Sequence, residues 1–218
     1  MILRQAQDDR ADCLYLGSQS KARQKLLELA GIKFKILQHK SSECVIEPDG
    51  DFEKYVISIA CDKIQHLQLP ETDQIPEDTL FVVTADTLIK TVETNQILGK
   101  PKDLEEAKEM LASFRHQPVF VLTGCCLRVM KKSGQHWDLE KQECWATGAQ
   151  VEFVVDPDSM DSYFKNEPWA LQACGAGIIE GYGQSFLKSI NGSYTAVLGL
   201  PLFELRQKLK AVGFKFKS

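Results

Sequence analysis

Short apolar runs alternate along this chain with segments whose apolar positions recur at helical spacing. Leu14-Tyr15-Leu16 is the first apolar run and reads as a strand. Ser20 then suits a helix N-cap, Leu26, Leu27 and Ala30 form one stripe, and Gly31 supplies a stop. Phe34-Lys35-Ile36-Leu37 alternates as a strand does, and residues 40–51, with Pro48 and Gly50, read as a loop. From Phe52 to Leu67 the spacing predicts a helix, with Val56, Ile59, Ala60, Lys63 and Ile64 near one face. Leu80-Phe81-Val82-Val83 is a continuous apolar run, the pattern of a strand buried on both faces.

Further on, Leu88-Ile89-Lys90 and Gln96-Ile97-Leu98 flank a hairpin turn at Thr94-Asn95. Asp103 with Glu106 forms a capping box ahead of a stripe of Ala107, Met110, Leu111 and Phe114. Residues 118–130 and 136–155 predict two long strands around a turn at 131–135, the second with an irregular middle. A short helix is expected over 158–166, and Gly175, Gly177, Gly181 and Gly183 mark a loop-rich stretch. Leu202, Leu205, Leu209 and Val212 make a last amphipathic helix, with Pro201 suited to its first turn. The sum is an α/β (mixed α+β) chain: an elongated mixed sheet with a long antiparallel hairpin, flanked by helices, with a cleft between two lobes. The expected division is an N-terminal extension over 1–11, one two-lobed domain over 12–213 and a basic tail over 214–218.

Four polar islands interrupt this pattern: residues 16–23, 84–87, 98–101, and 192–194 running into 199–202. Ser18, Ser20 and Arg23 sit where a strand end becomes a helix N-terminus, whose free amides favour anions. Ser20 serves equally as a plain N-cap. Asp86 follows the buried run 80–83, so a carboxylate stands at a strand end, where it can bind a divalent metal or activate water, or simply form a turn. Lys100 lies on a tight Gly-Lys-Pro turn and can reach a phosphate oxygen as a point charge. Lys63 lies near the apolar face of its helix, where a Lys snorkels over the core.

The 218 residues suffice for a buried core, and a hydrophobic share of 44% against 26% charged is that of an ordinary globular protein. The net charge of −4 excludes a global basic footprint, so no nucleic-acid partner is expected. No apolar stretch approaches the roughly 18 residues of a membrane span, so neither membrane nor signal peptide is expected. Seven cysteines without a Cys-x-x-Cys pair fit reduced thiols and a cytoplasmic location. Four scattered histidines give no zinc spacing.

Taken in order, the islands resemble the Maf family of nucleoside-triphosphate pyrophosphatases, with a fold like that of the inosine-triphosphate pyrophosphatases. Ser18-Gln-Ser-Lys-Ala-Arg23-Gln-Lys-Leu-Leu is similar to the family's opening motif, Ala85-Asp86-Thr87 to its acid segment, and Ile97-Leu98-Gly99-Lys100-Pro101 matches almost letter for letter. Thr123-Gly124 and Gly192-Ser193-Tyr194 with Gly199-Leu200-Pro201-Leu202 complete the set. The resemblance implies hydrolysis of a nucleoside triphosphate to monophosphate and pyrophosphate, with Mg²⁺ or Mn²⁺, for house-cleaning of the nucleotide pool; a homodimer is compatible with it. It implies Asp86 as catalytic acid or base, Glu43 and Asp86 at the metal, and Ser18, Ser20, Arg23, Lys63 and Lys100 on the phosphates. Thr87 and Glu180 fall to base recognition. Glu180 stands where thymidine- and uridine-triphosphate members carry Gln, similar to the 7-methyl-GTP subgroup, which points to a purine. The chain departs from the family at Lys21-Ala22, where a Pro-Arg pair is usual, and at Ala173, where a Lys is usual. Those losses keep open a non-catalytic nucleotide-binding regulator of the same fold.

Overall fold

The structure is a computed structural model that describes residues 11–39 and 50–217. Its elements run β1 (Leu14–Leu16), α1 (Lys21–Leu29), β2 (Phe34–Ile36), α2 (Phe52–Gln65), β3 (Thr79–Thr91), β4 (Ile97–Leu98), α3 (Leu104–Ser113), β5 (Val119–Ser133) and β6 (His136–Phe153). They continue as α4 (Met160–Asn166), β7 (Leu187–Gly192), α5 (Tyr194–Val197) and α6 (Leu202–Ala211), with short 3-10 turns between residues 157 and 186.

Local chemistry sets the helix ends. The Ser20 hydroxyl accepts from the Arg23 N–H at 3.5 Å, and the Asp51 carboxylate caps α2 through the Glu53 and Lys54 amides. After α1, Gly31 at φ +65° lets its own N–H bond Glu28 O and the Ile32 N–H bond Leu27 O, the paired closure that a left-handed residue permits. Asp103 caps α3 through the Glu106 amide, while Glu106 reaches back to the Lys102 N–H at 2.6 Å. The second half of the expected capping box therefore closes one residue early.

The sheet order is β2-β1-β3-β5-β6-β7, with β4 on β3. β2, β1 and β3 are parallel, and β3, β5, β6 and β7 are antiparallel neighbours. Because β5 pairs with all of β3 from Thr79 to Thr91, β1 and β4 must share β3's other edge. The apolar run at 80–83 and the segment 88–90 are thus parts of one strand, not two. The irregular middle expected in β6 is a bulge: Val129 pairs with Lys141 and Met130 with Leu139, which leaves Glu140 as the extra residue. β7 was not legible, since Leu187-Lys-Ser-Ile-Asn-Gly is short, polar and half exposed, as an outer strand is.

Alternation along β3 sorts its side chains into separate cores. Phe81, Val83 and Ala85 join Leu26, Leu27, Leu205 and Leu209 under α1 and α6. Leu80 and Val82 face Ala60, Ile64 and Leu67, so α2 covers the opposite face. Farther along the same strands, Ile89, Val121 and Val151 form a second-lobe core with Leu111, Phe114 and Tyr163. The basic tail expected at 214–218 starts inside the first lobe: Phe214 is buried edge-on against Phe81, 5.1 Å between centroids.

Candidate active site

β1 stops pairing with β3 at Val83, and β4 begins pairing at Ile89. Between them the outer edge of β3 carries no strand, and Asp86 and Thr87 lie in that gap. The sequence places Asp86 at a strand end; in the structure β3 continues through it, and it is the neighbour β1 that ends. The effect on access is the same, because the missing neighbour opens the edge.

From the α2 face, Lys63 Nζ meets Asp86 Oδ1 at 2.6 Å, with the two side chains 13% and 17% exposed. α2 is set there by a close approach. A Cβ on Gly124, which pairs with Asp86 across the β3–β5 ladder, would lie 2.4 Å from Val56 O of α2. Thr84 adds a hydroxyl bond to Ala60 O at 2.6 Å, one turn before Lys63. Thr84 and Gly124 hold the helix that presents Lys63; Thr123-Gly124 stood in the sequence only as part of the family resemblance, and its close approach to α2 appears in the fold.

The opposite face is built around Arg23, 9% exposed. Its Nε donates to Gly199 O at 2.7 Å, Nη1 to Ser18 Oγ at 3.0 Å and Nη2 to Thr87 Oγ1 at 3.2 Å. Gly199, at φ +104°, turns its carbonyl toward the guanidinium in a conformation that side chains resist. Thr123 Oγ1 spends its proton on Ala196 O at 2.7 Å, so in the 2.8 Å Thr87–Thr123 contact Thr87 is the donor. Hydrogen bonds therefore run in one direction, Arg23 to Thr87 to Thr123 to Ala196 O. Sequence reasoning gave Thr123 no role; only the folded register puts it beside Thr87.

Ser18 also accepts from the Ser20 N–H at 3.2 Å, so both serines shape the turn into α1. Lys100 is exposed just beyond β4, whose end is tied down by Gly175 N–H to Gly99 O at 2.8 Å. Cys174 Sγ donates to Leu98 O at 2.8 Å beside the same turn, and burial pushes its thiol up to about 12, with the Ile89 backbone, Lys100 and Arg23 opposing that and Asp86 adding to it. Glu43, expected at a metal, lies outside the described residues. Glu180 is apart from this group, half-buried in the 3-10 turns; its carboxyl is held above the usual range by burial and then by Glu167. A groove of about 970 Å³ continues along the α2 face past Lys90, Leu122 and Gly148, without touching Asp86, Arg23 or Lys63. The charged side chains belong to the edge gap rather than to that groove.

A family model described as Maf-like protein matches residues 13–212. The chain belongs to the Maf family. Among similar proteins is one named dTTP/UTP pyrophosphatase from Acholeplasma laidlawii, 34% identical over 199 residues that cover 90% of this chain and 95% of that one. Proteins of the same name from Shigella dysenteriae and Hydrogenovibrio crunogenus are 32% and 31% identical, covering 90% and 92% of this chain and 91% and 96% of theirs. Of the motifs quoted from the sequence, 18–23 lies on one flank of the gap, 86–87 within it, 98–101 on the other flank and Gly199 behind Arg23, while Gly192-Ser193 closes β7 against β6. No helix among the described residues is long and apolar enough to cross a membrane.

Proposed function

We propose that this chain hydrolyses the α–β phosphoanhydride of a nucleoside triphosphate, releasing monophosphate and pyrophosphate. The observation that carries the reading is the gap at Asp86, where an acid is flanked by Lys63, Arg23 and Lys100 in a Maf chain whose relatives bear the name pyrophosphatase. Water attacks the α-phosphorus, its proton passes to Asp86, and the bond to the β-phosphate oxygen breaks as pyrophosphate leaves. Lys63 fixes the Asp86 carboxylate through Oδ1, and the cations offset charge that builds on the phosphates; such chemistry is positioning and electrostatics. Asp86 suits a hard divalent ion such as Mg²⁺ or Mn²⁺, which binds through one or two carboxylates and the substrate's own phosphates. Such an ion supplies charge neutralisation when bound.

Glu180, the base-recognition residue implied by the resemblance, can read a base in either of two protonation states. As a carboxylate it only accepts, which suits the N1 and N2 donors of guanine and underlies the purine reading. As a neutral acid it donates and accepts, as Gln does, which suits uracil or thymine. Burial and Glu167 both favour the neutral form, and the relatives' names support a pyrimidine. On the relatives' names we read thymidine and uridine triphosphates as the preferred substrates. Free thiols at all six described cysteines support a reducing compartment such as the cytoplasm.

The test is a pyrophosphate-release screen over normal and modified nucleoside triphosphates with Mg²⁺ or Mn²⁺. Turnover of uridine or thymidine triphosphate to monophosphate bears the proposal out, and orthophosphate as first product sinks it. Tight nucleotide binding without turnover favours the regulatory reading that Ala22 and Ala173 motivate.

A further inference from the structure

Three thiols meet on the α2 face, one residue pair along the strands from Asp86. Cys126 and Cys144 are cross-strand partners on β5 and β6, in the row that begins at Thr84, and Cys61 comes down onto them from α2. Cys61 Sγ lies 3.1 Å from Cys144 Sγ, and Cys144 Sγ lies 3.5 Å from Cys126 Sγ. All three sulfurs fall within 4.8 Å of one another, the only such group of ligating side chains among the described residues. Cys126 is buried, Cys61 is partly covered and Cys144 reaches solvent, so the group has a dry floor and an open side. The proposed hydrolysis uses none of these thiols.

The spacing suits a metal. Sulfurs bound tetrahedrally to one ion at about 2.3 Å sit about 3.8 Å apart, and the 3.1 and 3.5 Å separations are shorter than that by a few tenths of an ångström, so the thiols need only spread slightly to hold an ion. A polar pair backs Cys144. Gln142 Nε2 points at Cys144 Sγ from 3.6 Å, and its Oε1 accepts from Arg128 Nε at 2.7 Å. That is an outer layer which orients a sulfur and brings a cation near it.

We propose that Cys61, Cys126 and Cys144 form a three-thiolate site for a soft d¹⁰ cation, Zn²⁺ or Cu⁺. Thiolate sulfur selects such ions over the hard divalent ions that carboxylates and phosphates hold, so the two kinds of metal do not compete. Cu⁺ is satisfied by three sulfurs, and Zn²⁺ takes water at the open side. Each thiol gives up its proton as the ion binds, so affinity weakens as pH falls. The bound ion ties α2 to β5 and β6 two residues before Lys63. It thereby adds a clamp to the helix that Thr84 already holds.

The site is tested on the full chain, reduced, stripped with chelator and kept anaerobic, by titration with Cd²⁺ as a spectroscopic probe and with Zn²⁺ against a chromophoric chelator. One equivalent per chain should bind, with thiolate-to-Cd²⁺ charge-transfer absorption and three of the seven thiols shielded from alkylation. Tm should rise by roughly 5–10 °C at a hundredfold excess over Kd. Cys61→Ser and Cys144→Ser should each weaken binding by about 100-fold, and Cys13→Ser should not. Those two positions are not fully buried, so the test stands even where Cys126→Ser does not fold. Absence of saturable binding, or full affinity in both Cys61→Ser and Cys144→Ser, overturns the site. So does a reduced protein that holds no ion and, given peroxide, yields only a Cys61–Cys144 disulfide.

Discussion

The two faces of β3 at the gap solve different problems. On the α2 face, Asp86 and Lys63 form an ion pair that is still wetted at its rim. On the α1 face, Arg23 is buried and bonded to two hydroxyls and a carbonyl, with Thr87 and Thr123 passing the bonds onward. The first face keeps an acid within reach of a reacting atom. The second joins α1, β3, β5 and the Gly199 turn, so it carries architecture as well as charge. Loss of the Asp86 carboxylate should therefore fall on the chemical step, and losses on the Arg23 side on rate and stability together.

Asp86→Asn gives the largest expected effect. Its Oδ1 still accepts from Lys63, so the fold should survive, while kcat drops by roughly 10²–10⁴-fold. Pyrophosphate release with circular dichroism checks it, and a folded variant with normal turnover removes Asp86 from the reaction. Arg23→Ala should lower kcat/KM by about 10²-fold and also lower Tm, because bonds from a charged donor to Ser18, Thr87 and Gly199 are lost at about 1.5–3 kcal/mol each before relaxation. Lys100→Ala should match its kinetic loss with Tm unchanged, since Lys100 is exposed. If both variants lose equal stability, the division of labour between the faces is wrong.

Gly124→Ala probes the α2 face without touching a charge. Its methyl meets Val56 O and must push α2 off the sheet, costing about 1–3 kcal/mol and moving Lys63 from Asp86. The expected reading is a Tm lower by about 2–4 °C per kcal/mol and a fall in kcat larger than any rise in KM. The smallest effect concerns Glu180. Its raised pKa means that the proton is kept to higher pH and the neutral, donating form gains as pH falls. The ratio of kcat/KM for uridine over guanosine triphosphate should rise as pH falls toward the carboxylate range, and the trend should vanish in Glu180→Gln.

Much of this site was visible as words in the chain. Ser20 ahead of a helical stripe, Asp86 after an apolar run and Lys100 between Gly and Pro each carry a local physical signal. Thr84 and Thr123 carry none, because a Thr in a strand is ordinary until its neighbour is known. Lys63 was ambiguous for the same reason: helical spacing says which face a Lys shares, not which strand that face meets.

What the sequence determined by itself was the inventory and its periods: most of the helix and strand segments, β7 and α5 excepted, the caps of α1 and α3, and which residues interrupt the apolar pattern. Those properties depend on neighbours within about one helical turn, so local chemistry specifies them. Tertiary structure alone decided that β1 ends opposite Val83 while β3 runs on, that Asp86 and Thr87 then look to opposite faces, and that Cys61 lands on Cys126 and Cys144. Strand register makes these choices. It is selected by the burial of whole faces across distant segments, and a slip of one residue would send Asp86 to the Arg23 side.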